Sequence, residues 1–230
     1  MDPSECLEKG LAAYRRGNFK KAFAMLSAEI LIDDPTAQYL LGRMYYDGKG
    51  TRQSYELAIH LYKGAASKDC AAAMKSLGWM YEFGKGVPQS YEDAVRWYRR
   101  GAILGNATCQ CNLGYMYQYG KGVPQSDKAA VEWYRKSSDL GNENGKMRLG
   151  YMYRFGRGIP QSYRKALELF EEAAEKNNPD AMRNIGWMYE SGKGVIRDLK
   201  EAVHWYQMSA DQGNVTAKGR LGAMRRADQP

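Results

Sequence analysis

Apolar residues return along this chain in short helical sets, separated by glycine-rich polar turns, and the whole arrangement recurs. Leu113, Met116 and Tyr117 stand at i, i+3 and i+4, which is one face of a helix. The same set is found at Leu41, Leu77, Leu149 and Ile185 with their following Met and Tyr, 36 residues apart each time. A partial sixth copy begins at Leu221-Gly222. A fixed period of this size predicts stacked supersecondary units, each of which buries its apolar stripe against its neighbours.

The unit 106–141 illustrates the elements. Asn106 is a natural N-cap, as are Asp34, Asn142, Asn178 and Asn214 in the same column. Gly114 falls inside the first helix, where glycine is costly, and its recurrence in every unit predicts a close approach of helices. Gly120-Lys121-Gly122 then ends the helix, and Pro124 prevents its continuation. Ser126 caps a second helix, as Ser54, Ser90, Ser162 and Asp198 do elsewhere. That helix carries Ala130, Val131, Trp133, Tyr134 and Ser137-Ser138 inward, and Gly141 closes it. Each unit therefore reads as an antiparallel helix pair. The expected architecture is all-α, a right-handed superhelical solenoid of such pairs in one continuous domain. A short helix pair occupies 1–33, five repeats follow at 34–69, 70–105, 106–141, 142–177 and 178–213, and 214–230 forms a closing helix and tail.

Composition narrows the class. A 44% hydrophobic fraction is enough for a continuous core. No apolar run approaches the roughly 18 residues needed to cross a bilayer. The first ten residues are polar and acidic, so no secretory leader is visible, and four cysteines without a repeating pairing suggest a reducing compartment. A cytoplasmic protein is expected; a periplasmic or secreted one would follow only if a leader had been removed. Cys109 and Cys111 point to different sides of a helix, and His60 and His204 lie four units apart, so neither pair makes a metal site. No metal or other cofactor is expected. The formal charge of +8 favours acidic partners, yet it is spread along the chain with no basic block, so no specific nucleic-acid binding is expected.

The column pattern is specific enough to compare with known families. Ala73-Met74-Lys75-Ser76-Leu77-Gly78-Trp79-Met80-Tyr81, then Gly84-Lys85-Gly86-Val87, then Ala94 and Trp97-Tyr98, resembles the Sel1-like repeat, a relative of the tetratricopeptide repeat. The resemblance covers about residues 34–226, and the N-terminal unit looks closer to an ordinary tetratricopeptide repeat. It implies a non-catalytic adaptor that grips a protein or peptide on a concave face. Bacterial members also look like immunity proteins that neutralise secreted toxins, which is the alternative reading. A cysteine-rich branch, for which a β-lactamase-like hydrolase role has been considered, carries a cysteine pair in each repeat; this chain lacks those pairs.

Candidate chemistry has simpler explanations. Ser162-Tyr163-Arg164-Lys165 spells Ser-x-x-Lys, but Ser162 occupies the helix-cap column and the companion motifs are missing. The Gly-Lys-Gly turns do not fit a phosphate-binding loop. Glu171-Glu172 falls on a helix face predicted to be solvated. No catalytic residue is expected.

The aromatics sort by column. The Met44 to Met188 and Tyr45 to Tyr189 columns read as core, and so do Trp97, Trp133 and Trp205, grouped with Leu61 and Phe170. By analogy with tetratricopeptide arrays, the position after each helical glycine faces the binding surface: Arg43, Trp79, Tyr115, Tyr151 and Trp187. One turn later come Tyr46, Glu82, Gln118, Arg154 and Glu190, beside them Phe83, Tyr119 and Phe155, and one turn earlier Lys75, Met147 and Arg183. These residues are the candidate protein-binding site. Trp79, Tyr115, Tyr151 and Trp187 are its anchors, and Lys75, Arg154 and Arg183 are its selectors of acidic neighbours. The turn row Lys49, Lys85, Lys121, Arg157 and Lys193 is a second candidate edge. The chain is expected to act as a monomer.

Overall fold

The computed structural model describes residues 2–28 and 31–227; the expected tail at 228–230 lies outside the described residues, as do Met1 and 29–30. Among the described residues the protein is wholly helical. The helices are α1 (Pro3–Arg15), α2 (Phe19–Leu26), α3 (Pro35–Asp47), α4 (Tyr55–Ser67), α5 (Ala71–Phe83), α6 (Tyr91–Ile103), α7 (Ala107–Tyr119), α8 (Asp127–Asp139), α9 (Glu143–Phe155), α10 (Tyr163–Ala174), α11 (Pro179–Ser191), α12 (Leu199–Asp211) and α13 (Val215–Ala227). They fall into two compact units, 1–116 with 120–124 and 117–119 with 125–230.

Within the first unit, α1 to α6 pack in sequence order, each on the next. Its core runs from Leu26, Ala37 and Met44 to Tyr62, Met74, Leu77 and Met80. In the second unit α8 to α13 do the same, around Phe170, Met182, Ile185 and Met188 and then Tyr206, Ala217 and Leu221. The Met column is buried throughout, as its spacing predicts.

The caps form as expected. Asp34, Asn106, Asn142, Asn178 and Asn214 each accept the backbone N–H three residues on, and so do Ser54, Ser90, Ser126, Ser162 and Asp198. The Oγ of Ser162, part of the Ser-x-x-Lys sequence, accepts from the Lys165 backbone N–H at 3.3 Å. The helical glycines are explained by rings. A Cβ at Gly42, Gly78, Gly150 or Gly186 would come within 2.4 to 2.8 Å of the ring of Tyr62, Tyr98, Phe170 or Tyr206. The deep aromatic column of the second helices is therefore Tyr62, Tyr98, Tyr134, Phe170 and Tyr206, all buried. This corrects the sequence reading in three respects. Phe170 belongs with these tyrosines rather than with the tryptophans, and Trp97, Trp133 and Trp205, one position earlier, are only half-buried. The Tyr45 to Tyr189 column is half-buried as well.

Candidate protein-binding surface

A hollow of the first unit lies between its first helices. It has a volume of about 550 Å³ and is lined chiefly by Tyr39, Arg43, Tyr46, Lys75 and Trp79, with Tyr62 at its back and Asn112 and Thr108 on its far side. The rings support one another: Tyr46 meets Trp79 edge-on at 5.8 Å, and Trp79 tilts against Phe83 at 4.9 Å. Trp79 and Phe83 nevertheless leave 37% and 52% of their surface in solvent. Arg43 sits over the Tyr14 ring at 5.7 Å.

In the second unit a smaller hollow of about 330 Å³ is lined by Tyr119, Met147, Tyr151 and Phe155, with Gln118 and Arg157 at its edge. Tyr151 and Phe155 stack at 6.0 Å, and Tyr119 and Phe155 expose about half of their surface (52% and 55%). Of the expected site residues, Arg43, Tyr46, Lys75 and Trp79 thus meet at one hollow, and Tyr119, Met147, Tyr151 and Phe155 at another.

Other expected contacts are already engaged inside the protein. Glu82 and Gln118 are buried and accept the hydroxyls of Tyr98 and Tyr134 at 2.8 and 2.7 Å. Glu190 accepts from Tyr206 at 2.7 Å and pairs with Arg220. Burial pulls the Glu190 carboxyl up, but the hydrogen bonds from Arg220 and Tyr206 outweigh this and hold it below its usual range. Met147 is packed into the core, in spite of its edge on the hollow.

The two arginines expected to select acidic neighbours are likewise occupied. Arg154 lies over the Trp187 ring at 3.5 Å and over Phe155 at 4.8 Å, and its Nη1 donates to Asn184 Oδ1. Its half-buried position lowers its pKa through desolvation. Arg183 donates to the Tyr151 hydroxyl and to Asp180 Oδ1 at 3.5 Å. Trp187 is therefore covered by Arg154 and approached by Tyr163 at 6.4 Å, while Tyr115 lies under Lys121 at 4.9 Å.

The basic turn row also resolves into internal contacts. Lys49, Lys121 and Lys193 lie over the rings of Phe19, Tyr91 and Tyr163, each on the preceding second helix, at 5.5, 5.1 and 5.6 Å. Arg157 faces Asp127 there instead, with Nε and Nη2 each donating to a carboxylate oxygen at 3.0 Å. Four of the five members of the row, all but Lys85, thus clasp successive helix pairs.

The sequence reading missed Tyr62, Ser76, Thr108 and Asn112 at the first hollow. A signal was present: the position before each Leu-Gly reads Leu40, Ser76, Asn112, Arg148 and Asn184, a varying and mostly polar column inside an otherwise apolar face.

Cys109 is fully buried. Burial pushes its thiol up to about 12, against a lowering by Lys75. No cluster of His, Cys, Asp and Glu able to hold a metal occurs among the described residues. No described helix is long and apolar enough to cross a membrane.

Helix pairs repeating every 36 residues and clasped to one another within each unit define an α-helical repeat protein. The chain belongs to the Sel1 repeat family, whose model matches residues 35–70, 71–106, 107–142, 145–178 and 179–214. Members of this family are generally protein-interaction modules. Among solved structures, a Sel1 repeat protein from Oxalobacter formigenes superposes with a TM-score of 0.90 at 30% identity, covering 94% of this chain and 86% of that one. A protective antigen of uropathogenic Escherichia coli with the same repeat fold gives 0.86 at 31% identity, covering 99% of this chain and 50% of that one. This chain therefore spans about half of the antigen's length. An immunity protein from Pseudomonas aeruginosa gives 0.57 at 18% identity over 88% of this chain and 81% of that one, a likeness of fold. No curated protein matches the chain.

Proposed function

We propose that the protein is a non-catalytic interaction module that grips another protein or a peptide on the faces of its first helices. The observation that carries this reading is the exposure of large aromatic rings beside the two hollows. Trp79 and Phe83 in the first unit, and Tyr119 and Phe155 in the second, stand in the recurring first-helix columns. Contiguous exposed apolar surface is uncommon on a soluble protein unless it binds something. Rigid rings lose little entropy on contact and are enriched among the residues that dominate interfaces. The immunity role is a narrower form of the same contact, in which the gripped partner is an enzyme.

The test is affinity capture from the native host followed by mass spectrometry. Wild type is compared with Trp79→Ala/Phe83→Ala and with Ile103→Ala, a substitution at an exposed position that does not line the hollow. The reading expects a partner held by wild type and by Ile103→Ala and lost from the double variant. A partner held equally by a folded double variant contradicts it.

A further inference from the structure

The hollow of the first unit carries two cations that no carboxylate of the described residues pairs, although Arg43 also lies over the Tyr14 ring at 5.7 Å. Arg43 and Lys75 both line it. Among the described residues, neither has a carboxylate within ion-pair distance. The one carboxylate on the wall, Asp47, is held by Lys49 at 3.1 Å. Elsewhere on the first-helix faces the cations are spoken for, Arg154 by Trp187 and Asn184, and Arg183 by Tyr151 and Asp180. Ordinary surface lysines and arginines are solvated. These two differ in flanking a concavity walled by Tyr46 and Trp79, where low-dielectric rings strengthen attraction for an anion.

We propose that this hollow receives an aspartate or glutamate side chain of an acidic partner segment. Arg43 and Lys75 hold the carboxylate, and a neighbouring aromatic or aliphatic side chain of the same segment packs on Tyr46 and Trp79. The volume of about 550 Å³ accommodates one or two side chains of a peptide rather than a folded domain. Thr108, which also lines the hollow, supplies a polar group for the main chain of that segment. This proposal deepens the interaction reading and rests on it. Of the three acid selectors that the sequence suggested, it keeps Lys75, sets Arg154 and Arg183 aside, and adds Arg43.

Fluorescence anisotropy with labelled peptides tests it. The probes are a decapeptide alternating glutamate with leucine and phenylalanine, its glutamine counterpart, and a decapeptide with the same number of glutamates interspersed with glycine. The expected result is saturable binding of the first probe. Binding is about tenfold weaker for each of the other two, and about tenfold weaker for the first probe on Arg43→Gln/Lys75→Gln. Arg183→Gln leaves it unchanged. Circular dichroism and a thermal melt confirm that the variants are folded. Three outcomes overturn the proposal: no binding of the first probe, equal binding of the glutamate–glycine peptide, which marks diffuse attraction to a chain of net charge +8, or undiminished binding by the double glutamine variant. A partner captured from the host separates the two levels. If Trp79→Ala/Phe83→Ala releases it while Arg43→Gln/Lys75→Gln holds it at full affinity, the interaction reading stands and the carboxylate pocket falls.

Discussion

The deepest tyrosines of the second helices each face a question of chemistry, because a buried hydroxyl needs a partner. For three of the four, the first helix of the same repeat answers it 16 residues earlier, while Tyr62 meets Ser76 of the next repeat. Tyr98 donates to Glu82, Tyr134 to Gln118 and Tyr206 to Glu190. Where the ring is Phe170, with no hydroxyl, the first-helix position is Arg154, which turns instead onto the next first helix and covers Trp187. Burial and the Glu82 carboxylate both push the Tyr98 phenol up, which favours its role as the donor. Tyr98→Phe leaves the buried Glu82 oxygen without its partner and is expected to cost about 1–3 kcal/mol in urea unfolding. Tyr98→Phe/Glu82→Leu removes both halves and is expected to recover part of that loss. Glu190 yields a pH prediction. Its folded pKa is depressed, so its contribution is complete above the usual carboxylate value of 4.5 and is lost as pH falls through the folded value. The melting temperature of wild type should exceed that of Glu190→Gln at neutral pH, and the gap should close as the pH is lowered below 4.5. These pairings were present in the sequence as matched changes in two columns. The role of each column was not legible, because a first-helix residue one turn past the glycine can point inward or outward depending on the ring beneath it.

At the scale of elements, the Gly-Lys-Gly turn has three separable tasks. Its first glycine ends the first helix in the left-handed region, at φ 64° to 69° across the repeats. Its lysine or arginine reaches the preceding second helix in four of the five repeats, through Lys49, Lys121, Arg157 and Lys193. Its last glycine combines positive φ with contact: a Cβ at Gly122 would lie 2.3 Å from the Tyr91 carbonyl carbon, and one at Gly158 2.4 Å from that of Asp127. Gly141 also has positive φ, yet nothing stands within 4 Å of its missing Cβ. Gly141→Ala is therefore expected to cost about 1–2 kcal/mol from backbone strain alone, and Gly122→Ala distinctly more, both read from urea midpoints. Asp69 and Asn177 occupy the Gly141 column at φ 59° and 60°, which fits the tolerance of Asp and Asn for this region. The clasps give a reciprocal prediction. Arg157→Lys loses the bidentate bond to Asp127, at an expected cost below about 1 kcal/mol for so exposed a pair. Arg157→Lys/Asp127→Tyr rebuilds the lysine-over-tyrosine contact of the neighbouring repeats and is expected to restore stability, as a double-mutant cycle would measure. Helix starts and stops were legible residue by residue, since caps and turns act locally. The destination of the turn cations was not, because their partners lie about 30 residues away on the previous helix pair.

For the whole molecule, the period announced the fold, and the comparisons place it in the Sel1 repeat family. The sequence left open which variable residues remain available to a partner. A column reading treats Trp79 and Trp187 as equivalents, whereas one is open to solvent and the other lies beneath Arg154. The same holds for the cations: Lys75 is unpaired by any carboxylate among the described residues, while Arg183 is bonded to its own repeat and to Tyr151. The surface proposed for binding thus reduces to fewer residues than the columns suggest, centred on the exposed Trp79 and Phe83 in the first unit and Tyr119 and Phe155 in the second. The most direct measurement is isothermal titration of the captured host partner into purified wild type, Trp79→Ala/Phe83→Ala and Ile103→Ala. The account predicts an affinity loss of at least about tenfold for the aromatic double variant and none for Ile103→Ala. Equal affinity of all three proteins, with the double variant folded, would contradict the assignment of partner binding to the first-helix face.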